Sequence, residues 1–196
     1  MLVRIKLLNE GLKRRCGMER KPFMDFQPGI NLLLGPNGSG KSTILRAIQD
    51  VNTGRVGTSH IEITLEDSRF PLPMYYFSSD EVVKESDSNR GSNLMSLQVE
   101  TESHGQTLAR HLMNISNLVD PAIVLLDEPE TALDLFKLIE FKDILERKVG
   151  EGMQFIISTH HPVLYKCKDA HINVMGKDRT YQAKAIQALK RVMTTR

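Results

Sequence analysis

The sequence predicts an α/β fold built on a largely parallel sheet. Three observations carry that prediction. Short apolar strands alternate with amphipathic helices from residue 30 onward, a glycine-rich loop sits between one such strand and the next helix, and a second apolar strand ends on two adjacent carboxylates. At 196 residues the chain is long enough to bury a core without disulfide or metal staples, so residues 1–196 are expected to form one domain.

Taken in order, Val3, Ile5 and Leu7 alternate with Arg4 and Lys6, the pattern of a half-buried strand that opens an N-terminal antiparallel β portion. Phe23 and Phe26 have the apolar spacing of strand packing and are expected in the core rather than as a base-stacking platform. Ile30 to Leu34 form a continuous apolar run ending at a glycine, a buried strand. In Lys41 to Gln49, Ile44, Leu45 and Ile48 share one helical face. Ile61, Ile63 and Leu65 alternate as a strand, and Met74 to Phe77 form another. Residues 80–93, rich in Ser, Asp, Glu and Asn around Gly91, read as a flexible polar connection. Further strands are expected at Ala122 to Leu126, Phe155 to Ile157 and Ile172 to Met175. Helices are expected at Gln106 to Asn117, at Thr131 to Val149, and at Tyr181 to Val192. The last lies in a basic C-terminal segment, 177–196, with Ala185, Ile186, Leu189 and Met193 on its apolar side.

A composition of 40% hydrophobic and 26% charged residues belongs to globular proteins and excludes disordered and membrane-embedded classes. The net charge of +2 gives no general attraction to polyanions. Cys16 and Cys167 lack metal-ligand spacing, which points to a reduced, cytoplasmic setting. Charges interrupt the apolar N-terminus and no run of 18 apolar residues occurs, so no membrane partner is expected.

Gly35-Pro36-Asn37-Gly38-Ser39-Gly40-Lys41-Ser42-Thr43 matches Gly-x-x-x-x-Gly-Lys-[Ser/Thr] between a strand and a helix. Its glycines let successive backbone N–H groups face a phosphate, and the helix N-terminus adds a favourable dipole. Lys41 is expected to reach the β/γ-phosphates of ATP from an exposed loop, and Ser42 to ligate Mg²⁺. The competing reading, a glycine-rich turn with a chance lysine, has odds of about 1% in a chain of this length. The apolar run Ala122 to Leu126 delivers Asp127 and Glu128 to the end of a sheet strand, where ligands bind in open α/β sheets. Asp127 is expected to hold Mg²⁺ and Glu128 to orient and deprotonate the attacking water.

With these two motifs in place, the sequence resembles the ATP-binding-cassette ATPases in the wide sense that includes SMC, RecF-like and small stand-alone bacterial and phage members. Glu102-Ser103-His104-Gly105-Gln106 stands where that family has its signature motif, Thr131-Ala132-Leu133-Asp134 looks like its D-loop, and Ser158-Thr159-His160-His161-Pro162 looks like its switch-histidine loop. The resemblance implies a catalytic set of Lys41, Glu128 and His160. It also implies that Ser103, Gly105 and Gln106 act in trans on the nucleotide of a second copy, with Asp134 communicating across that interface. ATP would then close a head-to-tail homodimer. No glutamine follows Tyr75-Tyr76-Phe77, where the family has its Q-loop; Ser78, Ser79 or Asp80 occupies that region.

About 25 residues separate Phe77 from Ser103, too few for the helical subdomain of transporter cassettes, and no heptad-bearing arm interrupts the chain. The first functional reading is a dimerising Mg-dependent ATPase, coupled to a process that a separate effector polypeptide could define. The alternative is a nucleic-acid-binding accessory that uses ATP as a dimer clamp. Its motivation is two basic clusters, Lys13, Arg14, Arg15, Arg20 and Lys21, and Lys184, Lys190, Arg191 and Arg196. These would hold DNA without sequence preference.

Overall fold

The structure is a computed structural model that describes residues 1–54, 60–66, 72–78, 112 and 114–194. Among the described residues, eight strands form two sheets. β1 (Leu2–Leu7) lies between β2 (Phe23–Asp25) and β4 (Ile61–Leu65) in an antiparallel sheet ordered β2-β1-β4. β3 (Ile30–Leu34), β5 (Met74–Ser78), β6 (Ile123–Asp127), β7 (Gln154–Ser158) and β8 (His171–Val174) form a parallel sheet ordered β5-β6-β7-β3-β8. The described helices are α1 (Glu10–Cys16), α2 (Lys41–Asn52), α3 (Leu135–Gly150) and α4 (Tyr181–Thr194).

The continuous apolar runs of β3, β6 and β7 follow from burial on both faces of the parallel sheet. Successive side chains point to opposite sides, so Leu33, Leu125 and Ile156 pack with Ile44, Leu45 and Ile48 of α2 and with Leu2, Ile5 and Leu7 of β1. Leu32, Leu34, Val124, Leu126, Phe155 and Ile157 face the other way, against Leu138, Phe141 and Leu145 of α3. Each such side chain is almost wholly removed from water, worth about 1.5–3 kcal/mol apiece.

The buried amide of Gln154 ties the sheets together. It accepts from Leu2 N at 2.8 Å and donates to Leu2 O at 2.8 Å and Gln27 O at 2.9 Å. No described helix is long and apolar enough to cross a membrane.

Several expectations are corrected. Val3 is 40% exposed while Leu2 is fully buried, because the pairing with β4 shifts register between Leu2 and Arg4 and so reverses the inside–outside alternation there. Phe23 is not in the core: it sits on the edge strand β2, 46% exposed, with the Arg4 guanidinium 5.6 Å from its ring centre. Phe26 is buried as expected. The long helix starts at Leu135 rather than Thr131, because a 3-10 turn at Pro129–Ala132 and an extended Leu133 intervene. Asp134 then caps α3, accepting from Lys137 N at 2.9 Å. The sequence reading lacked α1 altogether. That helix is capped by Asn9, which accepts from Leu12 N at 2.9 Å, and stops at Gly17 with φ 65°. Of the helix expected at Gln106 to Asn117, the described residues are Leu112, helical and fully buried, and Asn114–Asn117, which form a 3-10 turn. The connection at 80–93 lies outside the described residues.

Candidate functional site

The carboxyl ends of β3, β6 and β7 meet at one edge of the parallel sheet, and register puts Leu33 and Asp127 both opposite Ser158. The loop after β3 wraps over this edge. Two glycines make its path possible. A Cβ on Gly35 would stand 2.6 Å from Met175 O, and Gly40 takes φ 92°, with Leu12 and Cys16 of α1 3.1 Å from where its Cβ would be.

Pro36, Asn37 and Gly38 of this loop are exposed as expected, but Lys41 itself is buried, 4% exposed. Its ammonium donates back to Gly35 O at 3.0 Å and Pro36 O at 3.3 Å. Burial pushes the Lys41 pKa down, against the opposing pull of Glu128, Asp127 and Glu130. The ammonium therefore sits in its own loop's carbonyl cradle with three carboxylates in its field.

Asp127, 6% exposed, accepts at Oδ1 from Ser42 at 2.9 Å and from Ser158 at 2.5 Å. The Tyr76 hydroxyl lies 3.5 Å from Oδ2, and burial next to Asp127 pushes that phenol up to about 12, so it remains protonated. Glu128 adopts a left-handed conformation (φ 50°, ψ 55°), and its N–H donates to Ser158 O at 3.0 Å and Ser158 Oγ at 3.1 Å. For a residue with a Cβ that conformation costs about 1–2 kcal/mol, and the bonds to Ser158 hold it in place. The turn swings the Glu128 carboxylate off the strand axis, to 3.2 Å from His160 Nε2.

The loop after β7 is fixed by Glu130, whose Oε1 accepts from Thr159 Oγ1 at 2.8 Å and His160 N at 2.6 Å. Tyr165 donates to His160 O at 2.9 Å, and the Tyr181 hydroxyl of α4 lies 3.0 Å from His160 Nδ1. Two adjoining cavities open here. One, of about 300 Å³, is lined by Arg15, Asn37, Gly38, Gly40, Lys41, Ser42, Thr43 and Glu128; the other, of about 720 Å³, by Pro36, Asn37, Glu128, Glu130, Thr131, His160 and Tyr181.

The structure thus gathers the Gly35–Thr43 loop, Asp127, Glu128 and His160 at one mouth. Asp134 is exposed at the head of α3 and lines neither cavity. Ser103, Gly105 and Gln106 lie outside the described residues, as do Ser79 and Asp80, whereas Ser78 closes β5 opposite Asp127. Arg15, Glu130 and Tyr181 were missed from sequence. Asn9 and Gly17, a capping pair that encloses the seven residues of α1, were the available signal for that helix and so for Arg15.

This fold and this mouth define a P-loop nucleotide-binding domain of the α/β class. A family model described as an AAA domain matches residues 19–149, more than half of the chain, and the chain belongs to that family. Among curated proteins, the zinc import ATP-binding protein ZnuC of Wolbachia pipientis wMel is 27% identical over 157 residues, covering 67% of this chain and 62% of that protein. The uncharacterized ABC transporter ATP-binding protein YybJ of Bacillus subtilis is 27% identical over 190 residues, covering 82% of this chain and 86% of its own. The match thus spans less than two-thirds of the length of the zinc-import protein. Among solved structures, the SMC head domain from Thermotoga maritima has the same fold, with a TM-score of 0.57 at 16% identity over 90% of this chain and 97% of that one.

Proposed function

We propose that the chain binds ATP with Mg²⁺ and hydrolyses it at a composite site that a second copy completes. The observation that carries this reading is the 2.9 Å contact between Ser42 Oγ and Asp127 Oδ1, which joins the phosphate-binding loop to the paired carboxylates. A hydroxyl and one carboxylate at the head of a helix are the hard oxygen donors that Mg²⁺ takes together with substrate phosphates, so the residues fit the ion. Bound there, Mg²⁺ supplies positive charge to the phosphate oxygens.

The remaining work falls to side chains. The N–H groups of residues 38–43 and the α2 N-terminus bind phosphate oxygens, and Lys41 exchanges its two carbonyl partners for them. Glu128, held off the strand axis by its turn, orients a water and accepts its proton. His160 stands opposite Glu128 and stabilises the transferring phosphoryl group. Glu130 keeps the two loops in register through Thr159 and the His160 N–H. Ser103 and Gly105 of one copy would contact the nucleotide of the other, with Asp134 at the shared face. Which process this ATPase drives, and through which effector or nucleic acid, is a property of partners rather than of this site.

The test is ATP titration of Lys41→Ala, with circular dichroism as the folding control. Affinity should fall at least tenfold, since one charge-assisted contact to phosphate is removed. Unchanged affinity in a folded variant would sink the assignment.

A further inference from the structure

We infer that Tyr181 is a positioning residue for His160: its hydroxyl donates to Nδ1, holds the imidazole as the Nε2–H tautomer, and aims that hydrogen at the Glu128 side of the site. The inference rests on the role given to His160 under Proposed function.

Two distances decide the tautomer. Nδ1 is 3.0 Å from the Tyr181 hydroxyl, and Nε2 is 3.2 Å from Glu128 Oε1. Nε2 is buried and, despite that distance, lacks the alignment of a hydrogen bond. Were the proton on Nδ1, the Nε2 lone pair would face a carboxylate oxygen, two acceptors at near contact. With the proton on Nε2 the same contact is attractive, and Nδ1 becomes an acceptor that needs a donor. Tyr181 is that donor, and burial together with the Glu128 charge raises its pKa, keeping the phenol protonated. A hydrogen on Nε2 without an aligned partner is left for a phosphate oxygen at the same mouth.

The backbone of His160 is held by Glu130 through its N–H and by Tyr165 through its carbonyl. Its ring is held edge-on by Tyr181, with ring centres 6.3 Å apart at 75°. Tyr181 is the first residue of α4, a helix with no fully buried side chain. Tyr181, Ala185 and Ile186 of that helix are partly buried against the core, and its head is capped by Asp178, which accepts from Thr180 N at 2.9 Å and from Lys184 Nζ at 2.7 Å. Ring orientation at the chemical centre therefore depends on how the last helix is seated.

Long-range ¹⁵N spectra of the nucleotide-free chain read the tautomer directly, with His160 assigned by its loss in His160→Gln. The expected wild-type signal is neutral imidazole protonated at Nε2. Tyr181→Phe keeps the ring but removes the donor. Its spectrum should move to a tautomer mixture and its kcat should fall about tenfold, with KM for ATP and ADP affinity unchanged. A proton on Nδ1 in the wild type, or wild-type kcat in Tyr181→Phe, overturns the inference. A wild type that binds but does not turn over ATP would instead overturn the functional reading, because the tautomer is read without turnover.

Discussion

Replacing Glu128 by Gln isolates proton acceptance from everything else that residue does. Its main-chain bonds to Ser158 at 3.0 and 3.1 Å do not involve the side chain, and glutamine meets the same left-handed backbone cost as glutamate. The amide oxygen can still face His160 Nε2 across the present 3.2 Å. Ser42, Asp127 and Lys41 are untouched, so ATP should bind as before. Loss of a positioned base costs about 10²–10⁴ in rate, or roughly 3–5 kcal/mol of barrier. Phosphate release should therefore drop by at least a hundredfold at unchanged ATP affinity. With hydrolysis blocked, the ATP-bound dimer should persist by mass action, since each nucleotide adds contacts that only the dimer makes. Light scattering with ADP should show monomer, with ATP dimer, and with ATP plus Ser103→Arg monomer again. Wild-type turnover in Glu128→Gln, or a monomer under all three conditions, would refute the shared-site mechanism.

Ser158→Ala removes the 2.5 Å bond to Asp127 and the second acceptor for Glu128 N, and should cost about 1.5–3 kcal/mol in urea unfolding. A loss under half a unit would mean Ser158 does not brace the carboxylates. Gly40→Ala puts a Cβ at φ 92° between Leu12 and Cys16, and should destabilise by at least about 1–2 kcal/mol while loosening α1 in hydrogen exchange. Protection of α1 equal to wild type would contradict that packing. Asp178, half-buried at the head of α4, has its carboxyl lowered from 3.8 to about 2 by Lys184 and Thr180. A depressed folded-state pKa contributes stability that is full above about pH 4 and lost toward pH 2. The gap in unfolding midpoint between wild type and Asp178→Ala should accordingly narrow over that interval, and a pH-independent gap would exclude the carboxylate's charge as its source.

The parallel sheet was legible because its strands are buried on both faces, which leaves unbroken apolar runs such as Ile30 to Leu34 and Ala122 to Leu126. The phosphate loop and carboxylate pair were legible because each is a contiguous string. What escaped was set by contacts distant in sequence. Tyr181 meets His160 across 21 residues, with nothing local to mark it. Glu130 drew no role from the sequence because its partners, Thr159 and His160, come from another strand's end. Arg15 was hidden in a basic cluster that resembles a solvated face, although it lines the smaller cavity. Val3 fell on the wrong side because a bulge shifts the period of two, and Phe23 because edge position, not composition, decides its exposure.

Strand order also sets a timetable for synthesis. β3, which carries the phosphate loop, pairs with β7 on one side and β8 on the other, and both are made long after it. β1 is likewise bonded through Leu2 to Gln154. As the chain leaves the ribosome, the loop that binds nucleotide thus emerges early but has no platform until residue 174 is out. At ~5–20 residues per second that wait is on the order of ten seconds, and both backbone edges of β3 stay unpaired until β7 is made. Nucleotide therefore meets its complete site only after β7 and β8 have joined β3, late in this order of assembly.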